Sequence, residues 1–331
     1  MRFIRILALL LATLSLAAPS LPQAADGLEK VTVAQFGKER FLLYLPLYVA
    51  MEEGLFKKHG LDIDLKFVGN DDQVFAAVMS GQAEFGVGDP VFTAISHDKG
   101  GPGKTVALMI TRLGLSGVAK NPDLKPIKSP HDLNGLRISS FPEPSTTYTL
   151  LNQIRHEQNI DLKIVEAPFG GQIALLEAGQ VDIAVDIEPS ISIAEDKGYR
   201  IVFDLSPFTD PQAITGITVM EDTIKKHPET VQKFVDALQE AVDLIYSHPD
   251  VAYSTGRKIY PGLSEKVVQA AVGRMLRAHI YPSFVVVTDD LWQRTLRTRL
   301  NSGELKNPQS TDVAVDNSFA LKAQKDVGSE K

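Results

Sequence analysis

The 331-residue sequence contains no cysteine. A chain without cysteine has no disulfide, no thiolate metal site, no iron–sulfur cluster and no cysteine nucleophile. It also lacks an excess of positive charge, because 34 Lys and Arg residues stand against 41 Asp and Glu residues and give a formal net charge of −7. Nucleic-acid-binding proteins usually show the opposite balance, so we expect no nucleic-acid partner.

Long hydrophobic runs are also scarce. Arg2 and Arg5 precede an apolar run of 13 residues, Ile6–Ala18, and small residues follow as far as Ala25. The run is too short to cross a hydrocarbon core about 30 Å thick. This pattern predicts a cleavable signal peptide over residues 1–25 and therefore a periplasmic protein. An uncleaved N-terminal anchor is the alternative, because Pro22–Ala25 contains no clean A-x-A site.

The rest of the chain alternates strand-like and helical patterns. Val31–Phe36 and Leu61–Phe67 are strand-like, and a helical pattern begins at Pro46 between them. This β-α-β order predicts an α/β fold in which mainly parallel sheets are flanked by helices. In such folds the functional groups gather at the carboxyl ends of the strands.

The pattern recurs at an offset of 97 to 99 residues. A twofold repeat predicts two similar lobes, whereas a solenoid would need three or more repeats. Alternatively, the two halves share only the general α/β pattern and have no common origin. That alternative also predicts two similar lobes. The matching residues are Asp64–Lys66 with Asp161–Lys163, Gln73 with Gln172, Gly81–Gln82 with Gly179–Gln180, Pro90 with Pro189, and Asp98–Gly100 with Asp196–Gly198.

The predicted division follows from two segments that connect the lobes. Residues 26–112 would form the first part of lobe 1, residues 113–215 lobe 2, and residues 216–331 a return segment with C-terminal helices that belongs mostly to lobe 1. Helices are predicted at Pro228–Tyr246, Ser264–His279 and Asp289–Leu300. The final dozen residues are polar and are predicted to be a frayed tail.

The sequence contains no complete local motif for cofactor binding or for a catalytic nucleophile. Lys99–Thr105 resembles a phosphate-binding loop, but Asp98 stands where the first glycine is required and a strand-like run follows. The seven histidines include no i,i+4 pair, and there is no G-x-S-x-G or S-x-x-K motif. We therefore expect no metal and no cofactor, although a dispersed catalytic triad stays open.

Polar and aromatic residues are concentrated at the predicted strand-to-helix junctions. Such junctions expose backbone N–H groups and the positive end of a helix dipole, so they bind polar ligand groups. Two lobes that face each other through these loops would form a cleft. Local helix capping is the alternative role for Asp71, Asp89, Ser145 and Thr146. The junctions are Gly37–Tyr44, Gly69–Gln73, Gly88–Phe92, Ser139–Tyr148, Phe169–Gln172 and Asp186–Ser190.

One stretch, Pro46–Ile63, resembles the first helix and second strand of periplasmic solute-binding proteins of ABC importers. Ser80–Gly88 and Ala178–Val185 resemble the paired segments that precede strands in the same proteins. The resemblance covers roughly residues 30–300 and points to the nitrate, sulfonate and taurine branch, which is related to the NMT1/THI5-like family. It implies a two-lobed fold with two hinge crossovers, one solute between the lobes, and a monomer that delivers this solute to a membrane permease and its ATPase.

The resemblance also carries candidate binding residues onto the junction loops. Their mixed charges suit a bare inorganic anion poorly, and an organic carboxylate or sulfonate, or a pyrimidine-like ring stacked on an aromatic side chain, better. The candidates are Phe36, Lys38, Arg40, Phe41, Tyr44, Asp71, Asp72, Asp89, Arg112, Ser145, Thr146, Thr147, Phe169 and Glu188.

The main hypothesis is thus capture of a small organic solute for import, without catalysis. Two alternatives remain. One is an enzyme similar to the pyrimidine-synthesis proteins of the NMT1/THI5-like family, which the predicted export and the absence of cysteine disfavour. The other is a ligand-sensing subunit that docks to a membrane receptor.

Overall fold

A computed structural model describes residues 27–143 and 145–329, with side chains to residue 325. The predicted signal peptide lies outside the described residues. Ten strands form the sheets: β1 Glu29–Phe36, β2 Leu61–Gly69, β3 Phe85–Gly88, β4 Lys104–Ile110, β5 Ser116–Ala119, β6 Arg137–Ser140, β7 Lys163–Glu166, β8 Ala184–Asp186, β9 Arg200–Asp204 and β10 Thr215–Val219.

The first sheet has the strand order β2-β1-β3-β10-β4. Strands β1, β2 and β3 are parallel, and β10 runs antiparallel to both β3 and β4. We call the part of the chain built on this sheet lobe 1. The sheet is therefore mainly parallel, as the β-α-β pattern predicts.

The second part, lobe 2, repeats this arrangement. Strands β8, β5 and β9 pair in that order, β6 pairs in parallel with β7, and a bridge between Ile138 and Ile183 connects β6 to the edge of β8. The resulting order, β7-β6-β8-β5-β9, is topologically equivalent to that of lobe 1. The chain enters lobe 2 between Ile110 and Ser116 and returns to lobe 1 between Asp204 and Thr215.

The repeat residues occupy equivalent places in the two lobes. Gly81 and Gly179 both adopt a positive φ, 74° and 69°, just after the helix that precedes the third strand of each lobe. This left-handed conformation is accessible to glycine at little cost and lets the chain turn sharply into the strand. Pro90 and Pro189 likewise both stand at the start of a helix.

Fourteen α-helices flank the sheets in the described part of the chain. They are α1 Leu45–Glu52, α2 Leu55–Lys58, α3 Asp71–Met79, α4 Val91–Asp98, α5 Thr146–Glu157, α6 Gln172–Glu177, α7 Ser190–Asp196, α8 Glu221–Lys226, α9 Pro228–Ser247, α10 Pro249–Ile259, α11 Glu265–Arg277, α12 Asp289–Ser302, α13 Thr311–Ala314 and α14 Ser318–Ser329.

Several predicted helices appear close to their expected bounds, and two expectations need correction. The segment expected to be one helix from Pro46 is divided into α1 and α2 at Gly54, which has a φ of 70°. The expected frayed tail is wrong for most of its length, because α14 packs on α9 and buries Phe319, Ala320 and Ala323. Burial of this short apolar stripe compensates for the polar composition of the rest of the segment.

The C-terminal helices contact both lobes. Helix α12 packs on α4 of lobe 1 and on α5 of lobe 2, and α11 packs on α10 and on α7 of lobe 2. The core of lobe 1 is closed by α9, where Phe234 stacks on Phe85 with ring centroids 4.2 Å apart. None of the helices among residues 27–143 and 145–329 is both long and apolar enough to cross a membrane.

Candidate interlobe binding site

An aromatic cluster joins the two lobes at the carboxyl ends of their parallel strands. Phe41, in the loop after β1, contacts Phe169, in the loop after β7, with ring centroids 5.6 Å apart. Phe41 also packs on Tyr44 at 4.5 Å and on Phe36 at 6.0 Å, and Phe169 stacks on Phe141 at 5.6 Å. Phe41 is thus the aromatic residue of this cluster that connects Phe36 and Tyr44 of lobe 1 to Phe169 of lobe 2.

Phe41 and Phe169 differ in exposure. Phe41 is 2% exposed, whereas Phe169 is 42% exposed although its ring is large and apolar. Phe169 is therefore only partly covered by its neighbours. Its free face is available to an apolar or aromatic ligand group.

A polar cluster, the Arg299 cluster, lies at a second point of contact between the lobes. Asp89, just after β3, accepts hydrogen bonds from the Thr146 hydroxyl at 3.0 Å and from Arg299 Nη2 at 2.5 Å. Thr146 begins α5 of lobe 2, and Arg299 lies on α12. The guanidinium, 3% exposed, also binds Glu304 at 2.7 Å. Asp89 thus connects lobe 1 to lobe 2 through a buried arginine.

Glu188 occupies the equivalent place in lobe 2. It is 2% exposed and accepts the Ser192 backbone N–H at 3.0 Å, as Asp89 accepts that of Val91 at 3.0 Å. Arg274 Nε on α11 binds Glu188 at 2.7 Å. Both acids therefore occupy the N-terminal turn of a helix and are neutralised by an arginine from the C-terminal helices.

Asp71 and Tyr44 lie near Asp89 in lobe 1. Asp71 Oδ1 accepts the Asp89 backbone N–H at 2.8 Å. Burial, reinforced by the charge of Asp89, raises the pKa of Asp71 to about 7. Burial, with the nearby charge of Asp71, also raises the pKa of Tyr44 well above its ordinary value, so the phenol is neutral and able to donate.

The remaining predicted residues lie around these clusters. Arg40 binds Glu52 at 2.9 Å and lies over the Tyr48 ring, and Arg112 donates to the Ser206 carbonyl at 3.3 Å, which joins the two crossing segments. Ser145 caps α5 by accepting the Tyr148 N–H at 3.3 Å. Lys38 and Asp72 are exposed, and Thr147 is buried at the start of α5.

Sequence reasoning missed three further residues near this surface. Asp186 ends β8 and is 1% exposed, Gln172 begins α6 and is fully buried, and Tyr260 donates to the Arg40 carbonyl at 3.0 Å. Asp186 and Gln172 stand inside two of the predicted junctions, so their positions were visible in the sequence. Their burial was not, because it depends on packing of distant segments.

A metal centre is not built from the groups described. Among residues 27–143 and 145–329 no cluster of three or more His, Asp or Glu side chains has the arrangement of a metal site. Asp89 and Glu188 are instead paired with arginines and with backbone N–H groups at helix N-termini.

Comparison with known proteins identifies the family. The family described as NMT1/THI5 like matches residues 43–252. The chain belongs to the NMT1/THI5-like family. No curated protein matches the chain in sequence.

Solved structures share the fold of this NMT1/THI5-like protein. The aliphatic sulphonate-binding protein SsuA of Escherichia coli is 17% identical, with a TM-score of 0.68 over 87% of this chain and 92% of that one. The alkanesulfonate-binding protein SsuA of Xanthomonas axonopodis pv. citri, bound to MOPS, is 16% identical, with a TM-score of 0.68 over 89% and 100%. The desulfurization enzyme DSZB is 17% identical, with a TM-score of 0.65 over 90% and 99%. The two-lobed α/β fold predicted from sequence is confirmed.

Proposed function

We propose that this protein is an extracytoplasmic solute-binding protein that captures a small organic solute between its lobes and delivers it to an ABC importer. The observation that carries the proposal is the meeting of two equivalent sheets at their carboxyl ends, where aromatic and polar side chains of both lobes face each other. Ligands of α/β proteins bind at such ends. Family membership and the shared fold of the SsuA proteins support the same role.

The proposed mechanism is closure of the lobes around the solute. In the described part of the chain two segments, residues 111–115 and 205–214, connect the sheets and would act as the hinge, and rotation about them would also change the contacts of α11 and α12 with lobe 2. A solute that contacts both lobes favours the closed state by its differential affinity. The proposed partners are the permease and its ATPase, the proposed location is the periplasm, and the working form is a monomer with the lobe boundaries given above.

Solute binding should be detectable as thermal stabilisation. A solute at about 100 times its dissociation constant adds about 2.7 kcal/mol to the free energy of unfolding, which raises the melting temperature by several degrees. The purified protein should be screened against sulfonates, carboxylates, amines, amidines, pyrimidines and amino acids. Small-angle scattering of any stabilising pair should then show a smaller radius of gyration. Stabilisation without compaction would contradict closure.

Phe169 offers a second test of the interlobe site. Phe169→Ala should raise the dissociation constant for the solute by about tenfold, because it removes an exposed stacking face worth about 0.5–1.5 kcal/mol plus some apolar contact. Phe284→Ala is a matched control, since Phe284 is also 42% exposed and belongs to none of the interlobe clusters. Isothermal titration should show weaker binding only for the Phe169 variant. Equal effects of the two substitutions would place the ligand elsewhere.

An enzyme is the second candidate, because the desulfurization enzyme DSZB shares the fold. The chain contains no cysteine, so thiolate chemistry is excluded here. Asp89 and Glu188 are engaged with arginines and helix N-termini. Solute binding without turnover therefore agrees better with the site. Consumption of a bound solute during prolonged incubation would support the enzyme instead.

A further inference from the structure

The carboxylate of Asp186 is buried with only one of its two oxygens in a geometric hydrogen bond. Its Oδ1 accepts the Ile187 N–H at 2.8 Å, but its Oδ2 is buried without a hydrogen-bond partner in the part of the chain that the structure describes. No described lysine or arginine forms an ion pair with it. A carboxylate in this state loses its hydration and is compensated only in part, by the Ile187 N–H and the side chain of Ser190, which is costly in native proteins.

Gln172 presents a second unpartnered acceptor in the same lobe. Its Nε2 donates to the Ala167 carbonyl at 2.9 Å and lies 3.4 Å from that of Ser140, which fixes the orientation of the amide. Its Oε1 is then buried without a partner. Because Ser140 ends β6 and Asp186 ends β8, both acceptors stand at the carboxyl end of neighbouring strands.

The charges around Asp186 are mostly negative. Glu188 lies close enough to raise the pKa of Asp186, and both Asp186 and Glu39 act on Tyr260, whose hydroxyl reaches the lobe 1 loop at Arg40. Glu188 itself is bound to Arg274. Asp186 therefore lies near Tyr260, whose hydroxyl binds the loop after β1 of lobe 1.

Three arginines near the site are already engaged in ion pairs. Arg40 binds Glu52, Arg299 binds Asp89 and Glu304, and Arg274 binds Glu188 and Glu195. The N-terminal turns of α4 and α7 are occupied by Asp89 and Glu188. An anionic solute would thus meet carboxylates at these positions, and Lys38 and Arg112 are the cations of the described site residues that form no ion pair.

We propose that the solute is a planar organic cation, a protonated amine or amidine attached to a flat ring. Its N–H groups bind Asp186 Oδ2 and Gln172 Oε1, and its ring stacks between Phe41 and Phe169. This inference rests on the proposed function and specifies the ligand of that site. The ring replaces the direct contact between Phe41 and Phe169, whose centroids are 5.6 Å apart, so binding requires the lobes to separate slightly and close again on the solute.

The test uses pairs of aromatic probes of similar size and opposite charge. Benzamidine is compared with benzoate, and benzylamine with benzenesulfonate, by thermal unfolding and isothermal titration at about pH 8, where Asp186 is ionised. The cations should stabilise the protein, and the anions should not. Asp186→Asn should raise the dissociation constant for benzamidine by about 10- to 100-fold, because it removes a charge-assisted hydrogen bond. It should leave the fold intact, because Asn retains the Oδ1 that accepts the Ile187 N–H.

Asp123→Asn is the matched control. Asp123 is exposed and follows β5 at the end of the sheet opposite Asp186, since Ser116 of β5 pairs with Asp186 and Ala119 lies at the far end. The substitution Asp123→Asn removes one negative charge, as Asp186→Asn does, but at a position away from the proposed site. Affinity for benzamidine should also rise as the pH increases through about 7 in the wild type, and this rise should be smaller in Asp186→Asn, where Asp71 still titrates at about 7. A purely structural role for Asp186 would not produce that profile.

The outcomes separate this inference from the proposed function. Stabilisation by the anions alone, absence of binding by both cations, or an Asp186→Asn variant that binds benzamidine like the wild type would overturn the inference. The proposed function would survive the first of these results. A different result contradicts the proposed function: no member of the broad solute panel stabilises the protein or changes its scattering.

Discussion

Replacement of Arg299 by methionine should lower the free energy of unfolding by about 3–5 kcal/mol, because it leaves a buried carboxylate without its counterion. Arg299 is 3% exposed and binds Asp89 at 2.5 Å and Glu304 at 2.7 Å. Methionine fills much of the volume of the arginine side chain but donates no hydrogen bond. Denaturant unfolding followed by circular dichroism measures the loss.

Arg297→Met is the matched control, since Arg297 is exposed on the same helix two residues away. It should change the free energy of unfolding by no more than about 0.5 kcal/mol. The double variant Asp89→Asn/Arg299→Met should be less destabilised than the sum of the two single variants, because the uncompensated charge is removed. Equal losses for Arg299→Met and Arg297→Met would show that the Arg299 cluster contributes little to stability.

The Arg299 cluster also bears on closure. Asp89 belongs to lobe 1, Thr146 to lobe 2, and Arg299 to the helix that contacts both. Opening the lobes has to lengthen the bond between Thr146 and Asp89, whereas the pair of Arg299 with Asp89 can stay with lobe 1. The hydrogen bond from the Thr146 hydroxyl to Asp89 is thus the contact of the cluster that changes when the lobes open.

The sequence was sufficient for the architecture because the fold rests on local patterns. Alternation in Leu61–Phe67, prolines at helix starts and glycines at left-handed turns each specify a local conformation. The twofold repeat of these patterns then predicted two similar sheets. Asp89 and Glu188 could be selected for the same reason, because each directly precedes a proline at a strand-to-helix junction.

The partners of these acids could not be predicted. Arg299 lies 210 residues after Asp89, and Arg274 lies 86 residues after Glu188, on helices whose patterns only predict that they are amphipathic. Long-range pairing of this kind depends on how α11 and α12 cross the lobes. The burial of Asp186 could not be predicted either. An aspartate at the end of a strand is usually hydrated, and only tertiary packing removes its water.

Stability should fall as the pH rises from about 4 to about 8, because Asp71 and Asp186 resist ionisation in the folded protein. Burial raises the pKa of each to about 7, whereas an unfolded aspartate titrates near about 3.9. Between these values the folded chain binds more protons than the unfolded chain, so the free energy of unfolding decreases as the pH increases. The contribution of Asp186 reaches at most about 4 kcal/mol above its folded pKa.

Asp186→Asn should remove this contribution. We expect the variant to melt at the same temperature as the wild type at about pH 4 and several degrees higher at about pH 8, where only the wild type carries the buried charge. Asp123→Asn should follow the wild-type curve throughout. A variant that is less stable than the wild type at high pH would mean that the carboxylate is satisfied within the protein. A gain in stability accompanied by a loss of cation binding would instead mean that the site retains an uncompensated charge for its ligand, at the expense of the empty protein.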